Sequence, residues 1–375
     1  MGNRYSEIDY SRFQEQDISG RYVVLESIEP LLKKLSSKFK IKVEGFSEEN
    51  QPLYSITFGK GKFKILMWSQ MHGNESTTTK AIFDFINYLN TDNNLDSKIT
   101  LKILPMLNPD GALRYTRENA NGVDLNRDAL NKSQSEIKTL FAVFEDFKPD
   151  LCLNMHDQRT IFSAGKTSNP AVVSFLAPSA NQQKTITENR GFAMQLITAM
   201  NNSLQKIIPG NIGRYSDEFN PNCLGDTFQS MGVPAILFEA GHYGNDYKRE
   251  KVREYIFIAL WSLFDILADS KQKLPETTEY FNIPENEKLF FDIIIRNAIY
   301  NEKCSDIAIQ FEEKLIVGNV SFIPKLAKTG NLQSFYGHRT IDASNKEVLL
   351  NTKKRIMLDS EITNLTIDSI NISMI

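Results

Sequence analysis

Phe63-Lys64-Ile65-Leu66-Met67-Trp68, followed closely by His72-Gly73-Asn74-Glu75, decides how this chain is read. The first run is short and mostly apolar, as in a buried strand. The tetrad behind it puts an imidazole and a carboxylate into one loop, close to each other. Both are ligand types that zinc takes, and a catalytic zinc keeps one position for water. Alone, a His-x-x-Glu tetrad is more often a surface pair than a metal site. Matching pieces further along the chain change that.

The second piece is Asn108-Pro109-Asp110-Gly111, followed by Arg117-Glu118-Asn119-Ala120-Asn121-Gly122-Val123-Asp124-Leu125-Asn126-Arg127. The third is Asn154-Met155-His156-Asp157, at the end of the apolar run Leu151-Cys152-Leu153. The fourth is Ala235-Ile236-Leu237-Phe238-Glu239-Ala240-Gly241, a buried-strand pattern that delivers a carboxylate at its end.

Between these pieces the apolar spacing predicts helices over 21–40, 77–89, 186–207 and 246–268. Ser133-Gln134-Ser135-Glu136 has the form of a capping box and predicts another helix to about 147. Strands are expected over 41–70 (three of them), 98–107, 151–155 and 235–239. Such alternation implies an α/β fold with a mixed, largely parallel sheet and helices on both faces. In such sheets ligands bind beyond the carboxyl ends of the strands. His72, His156 and Glu239 each come at such an end, so topology alone brings them to one edge.

The pattern changes after Lys273-Leu274-Pro275. From about 289 onward the runs are short and rich in β-branched residues, as in Ile293-Ile294-Ile295. Two domains are expected: a catalytic unit over 1–275 and a small all-β accessory unit over 284–375. In the second, only His338 stands out as a possible ligand.

Taken together and in this order, the four motifs resemble the zinc carboxypeptidases of the carboxypeptidase A/B type. The resemblance implies a carboxypeptidase-like fold and one Zn2+ per chain, held by His72, Glu75 and His156. The fourth position would hold a water whose pKa the metal lowers to about 7. Glu239 would be the general base that takes the proton of that water and returns it to the leaving amine. Arg117 would stabilise the oxyanion. Asn126 and Arg127 would bind the terminal carboxylate, for which the planar guanidinium fork is suited. The family also carries a tyrosine on a loop before the catalytic glutamate. Tyr215 is the best candidate and Tyr243 the second. Asp226 falls where the family builds its side-chain pocket, with its orientation open. Asp157 and Gln158 would either orient the His156 imidazole or be polar groups at a strand end.

Composition removes other classes. The chain has 375 residues and a net charge of −3. No basic stretch interleaved with aromatics is present, so nucleic acid is not an expected partner. No apolar run is long enough for a bilayer, so no membrane is expected. Residues 1–20 are polar and hold no leader-like apolar stretch, and three distant cysteines suit a reducing compartment. A cytoplasmic location is the expectation. The expected substrate is a peptide cut at its C-terminal amide bond. The alternative is an acyl-amino acid, in a zinc deacylase similar to aspartoacylase or succinylglutamate desuccinylase. Those enzymes also carry a trailing β domain.

Overall fold

The computed structural model describes residues 9–91, 94–269 and 273–374. Eight strands form the main sheet: β1 (Phe39–Phe46), β2 (Pro52–Gly59), β3 (Phe63–Ser69), β4 (Ile99–Leu104), β5 (Leu151–Asp157), β6 (Val173–Leu176), β7 (Ile212–Arg214) and β8 (Ala235–Ala240). Their spatial order is β1-β2-β4-β3-β5-β8-β6-β7. The centre, β4-β3-β5-β8, is parallel throughout. Antiparallel pairings flank it through β1, β2 and β6, while β7 runs parallel to β6.

Alternation along the central strands builds two cores. Ile65 and Met67 of β3 point to one face, with α1 (Leu25–Lys34), α2 (Thr77–Thr91), α5 (Glu188–Leu204) and α7 (Glu250–Ala268). Leu66 and Trp68 point to the other, with α4 (Ser135–Phe147) and α6 (Leu224–Ser230). The short α3 (Pro109–Arg114) sits at the carboxyl edge. The strands are therefore buried on both sides, which is why they read as apolar runs. Among the described residues no helix is long and apolar enough to cross a membrane.

Three local expectations are corrected. The helix expected over 21–40 is confined to α1; Val24 and Leu35 are extended at its ends, and Phe39–Phe46 pairs antiparallel with β2. Val23 and Val24 are buried without being helical, so their apolar spacing misled. The capping box at Ser133 does not form. Its hydroxyl donates to Asp128 instead, and Glu48, distant in sequence, accepts the Ser135 amide at 2.6 Å. The helix expected from 246 begins at Glu250, because the Asp246 carboxylate accepts from the Glu250, Lys251 and Val252 amides.

The C-terminal strands β9 (Phe290–Tyr300), β10 (Lys303–Ile316), β11 (Asn319–Gly330) and β12 (Tyr336–Asp342) make a separate sheet in the order β11-β10-β9-β12. Three shorter strands, β13 (Val348–Leu350), β14 (Leu365–Ile367) and β15 (Ile370–Asn371), complete this region. It has its own apolar core around Ile293, Ile295 and Ile307. The preceding segment belongs to the main body: Tyr280 and Ile283 are in its core, and Asn286–Glu287 pairs with Ser163–Ala164.

Candidate active site

The carboxyl ends of β3, β5 and β8 lie side by side. His156 and Glu239 are direct neighbours across the β5–β8 ladder. His72 follows β3 by three residues, in a loop braced by the Asn108-Pro109-Asp110-Gly111 motif. The Leu107 and Asn108 amides donate to the Ser69 and Gln70 carbonyls, and Asn108 Nδ2 donates to the Met71 carbonyl at 3.1 Å. Gly73 packs so closely on Gly111 that a Cβ there would lie 2.0 Å from the Gly111 carbonyl carbon. The sequence motif is thus structural: it clamps the loop that carries His72 and Glu75.

Three donors converge. His72 Nδ1 is 2.9 Å from Glu75 Oε1, and His156 Nδ1 is 2.8 Å from Glu75 Oε2. The two Nδ1 atoms are 3.1 Å apart. All three side chains are buried. On its outer side His72 Nε2 meets Asp124 Oδ1 at 3.0 Å, which leaves the Nδ1 lone pair facing the cluster. Burial works against the charged form of both imidazoles: it lowers the His156 pKa even beside Glu75, whereas at His72 Glu75 and Asp124 outweigh it and raise the pKa. Burial works against the ionised form of Glu75 too, but His72 and His156 outweigh that and hold its pKa well below the usual carboxylate range. Of the two readings of Asp157, the strand-end polar group holds: it accepts the Thr77 and Thr78 amides at the start of α2, while its own amide donates to Glu75 Oε2. Gln158 donates to the Ala171 carbonyl. Neither touches the imidazole; they fix the backbone around Glu75 and His156.

One cavity of about 360 Å³ is lined by His72, Glu75, His156, Glu239, Arg117 and Tyr215, and also by Asn126 and Arg127. The motif residues therefore meet at one place. Glu239 Oε2 is buried without a hydrogen-bond partner. Burial, and then the charges of Glu75 and Asp157, push its pKa well above the usual range. Arg117 grips Asp124 through Nε and Nη2 at 3.1 and 3.0 Å and turns Nη1 toward Glu75 at 3.3 Å. Asn126 accepts from the Leu224 amide, and Arg127 is exposed, with Nη1 3.0 Å from Cys223 Sγ. Tyr215 lies against Phe162 with ring centroids 5.3 Å apart. Tyr243 is exposed and packs on Tyr255, away from this cavity.

Other residues here carried weaker sequence signals. Asp124 joins His72, Arg117 and the Asn126 amide at once, a role hidden within the longer motif. Asp226 does line the cavity and is buried; Arg127 and Arg190 act on it as lesser influences than burial, and among the described residues it forms no ion pair. Its carboxyl is pushed up to about 7 by burial. Cys223 and Arg159 also line the wall, and neither lies in a recognisable motif.

The donor set fits zinc. Two imidazole nitrogens and a carboxylate oxygen all lie within 4.8 Å of one another. Lone pairs so disposed favour a cation between them, and Asp124 supplies the outer partner that a ligating imidazole usually has.

A His-Glu-His cluster that could hold a metal ion, at the carboxyl edge of a mixed α/β sheet, points to the class. The chain belongs to the zinc carboxypeptidase family, whose pattern it matches over residues 24–218. Glu239 lies beyond that span and is placed by strand pairing. Among curated proteins it is similar to a probable carboxypeptidase 2 of Trichophyton verrucosum (strain HKI 0517), 28% identical over 113 residues, covering 28% of this chain and 21% of that one. Carboxypeptidase 2 of Trichophyton rubrum matches over the same length, 20% of its own. The match thus spans about a fifth of these relatives. Among solved structures, a metallo-carboxypeptidase from Burkholderia cenocepacia superposes with a TM-score of 0.54 at 15% identity, over 66% of this chain and 70% of that one. Carboxypeptidase A from Helicoverpa armigera gives 0.53 at 16% identity, over 67% and 75%. These likenesses show the fold.

Proposed function

We propose that this chain is a zinc-dependent metallocarboxypeptidase that hydrolyses the C-terminal amide bond of peptides. Its catalytic unit extends past 275 to include the segment through Glu287, and the accessory β unit follows from Phe290. The observation that carries the reading is the meeting of the His72–Glu75–His156 cluster, Glu239, Arg117 and Arg127 in one cavity. His72, Glu75 and His156 hold the metal, which supplies Lewis acidity and an activated water when bound. Glu239, beside His156 in the sheet, accepts the proton of the attacking water and passes it to the leaving nitrogen. Arg117, already beside the cluster, donates to the oxygen on which negative charge develops. Asn126 and Arg127 hold the terminal carboxylate and so place the last amide bond over the cluster. Tyr215 closes the wall opposite. The unpaired carboxylate of Asp226 suits a lysine or arginine as the terminal residue.

The family match and the carboxypeptidase names of the relatives speak for the peptidase. The trailing β sheet is a feature shared with the acyl-amino-acid deacylases, and the family match outweighs it. The test is a screen of zinc-loaded protein against peptides with free and amidated C termini and against N-acyl amino acids. Release of the last residue from free peptides supports the reading. Release of carboxylic acids from N-acyl amino acids alone overturns it.

A further inference from the structure

The cavity described above adjoins a second one, of about 330 Å³, which Arg117 also lines and Arg127 does not. Both share Glu75, Arg117, Asp157, Gln158 and Arg159 as lining. The far wall of the second cavity comes from the C-terminal sheet: Asp292 of β9, residues 310–313 of β10 and Phe322 of β11.

This wall is rigidly attached. Glu313 takes a two-pronged grip from Arg21, at 2.9 and 3.0 Å, and accepts from the Tyr115 hydroxyl. The Arg21 side chain is 5% exposed and that of Glu313 24%, so the pair is partly shielded from water. Asp292 is fully buried and accepts from the Tyr247 hydroxyl at 3.0 Å and the Phe311 amide at 2.7 Å. Gln310 reaches across to Thr160 Oγ1 at 2.7 Å, and His338 to the Thr160 carbonyl at 2.7 Å.

On this support stand three half-buried rings. Tyr247 lies 5.2 Å from Phe311 and 5.1 Å from Phe322, centroid to centroid. All three line the cavity, on a wall shared with charged groups such as Arg21, Arg249 and Glu312. With the terminal carboxylate on Arg127 and the last carbonyl at Arg117, as proposed above, the cavity that shares Arg117 is the space next to the preceding residue.

We propose that the C-terminal sheet completes the substrate site, with Phe311, Phe322 and Tyr247 forming the subsite for the residue just before the scissile bond. The sheet thereby selects peptides with an aromatic side chain at that position. The choice rests on ring geometry, since aromatic pairs favour tilted and edge-to-face contacts at such distances. The inference builds on the peptidase reading, and the two fail separately.

The test is equilibrium binding to zinc-loaded protein carrying Glu239→Gln, so that peptides stay intact. Acetyl-Ala-Phe-Lys is compared with acetyl-Ala-Ala-Lys by titration calorimetry. The phenylalanyl peptide should bind about 10- to 100-fold more tightly. Phe322→Ala, and separately Phe311→Ala, should abolish most of that preference and leave the alanyl peptide within about twofold. Phe311 also packs against the β core, so Phe322→Ala is the safer variant, and a melting curve checks both. Equal affinity for the two peptides, or a preference that survives in both folded variants, overturns the proposal. Cleavage by the parent protein is scored apart, so absent cleavage with intact aromatic preference counts against the peptidase reading alone.

Discussion

Asp124→Ala is the perturbation whose size follows most directly from the geometry. Its carboxylate accepts from His72 Nε2 at 3.0 Å, from Arg117 Nε at 3.1 Å and from the Asn126 amide at 2.9 Å. These contacts bear on metal affinity and on turnover separately. Loss of an outer partner from a ligating histidine typically costs 10–100-fold in metal affinity, about 1.4–2.7 kcal/mol. The Arg117 side chain is 40% exposed, so its pair with Asp124 is screened and contributes no more than about 1 kcal/mol. At saturating zinc, turnover should therefore fall only about fivefold. The dominant effect should be on zinc affinity, measured by competition against a chelator, with turnover measured at excess zinc. Asp124→Asn keeps an acceptor for His72 and should lie between wild type and alanine. An unchanged zinc affinity in a well-folded Asp124→Ala protein would refute the reasoning.

Three further outcomes are expected. Glu239→Gln should keep its zinc and lower kcat by about 10²–10⁴-fold, since a carboxamide cannot accept the proton; metal analysis beside kinetics separates a base from a ligand. Arg127→Ala should lower kcat/KM on free peptides by about 30–150-fold, corresponding to about 2–3 kcal/mol for a charge left unpaired, and leave peptide amides almost unchanged; equal losses on acids and amides would remove Arg127 from the clamp. Burial raises the Asp226 carboxyl to about 7, so it ionises as pH rises through that value. The preference for terminal lysine over leucine should climb across the same range and flatten in Asp226→Asn, and a flat ratio in the parent protein would exclude Asp226 from recognition.

The placement of His72, His156 and Glu239 was legible because each ends an apolar run, and such runs are strands buried on both faces. Adjacency of β3, β5 and β8 then does the rest. The loop motifs were legible as motifs but not as braces. That Asn108 and Gly111 hold the His72 loop depends on contacts across some forty positions of sequence. The start of α4 was misread because the Glu48 carboxylate, from a distant turn, takes the place of a local cap. Asp226 could not be oriented, since a short helix turns it inward by packing Leu224 and Phe228 into the core beside it. The aromatic wall of β10 and β11 had no signature at all. Alternating apolar residues in those strands read equally as a closed β core, and docking onto Arg21, Tyr247 and Thr160 is what exposes them to the cavity.

The central claim is tested most directly by the zinc content of the purified protein beside that of His156→Ala. His156 contributes Nδ1 to the cluster from the end of β5, within hydrogen-bonding distance of both other donors. The parent protein should carry one zinc per chain and the folded variant almost none after dialysis. Equal zinc in the two would contradict the account.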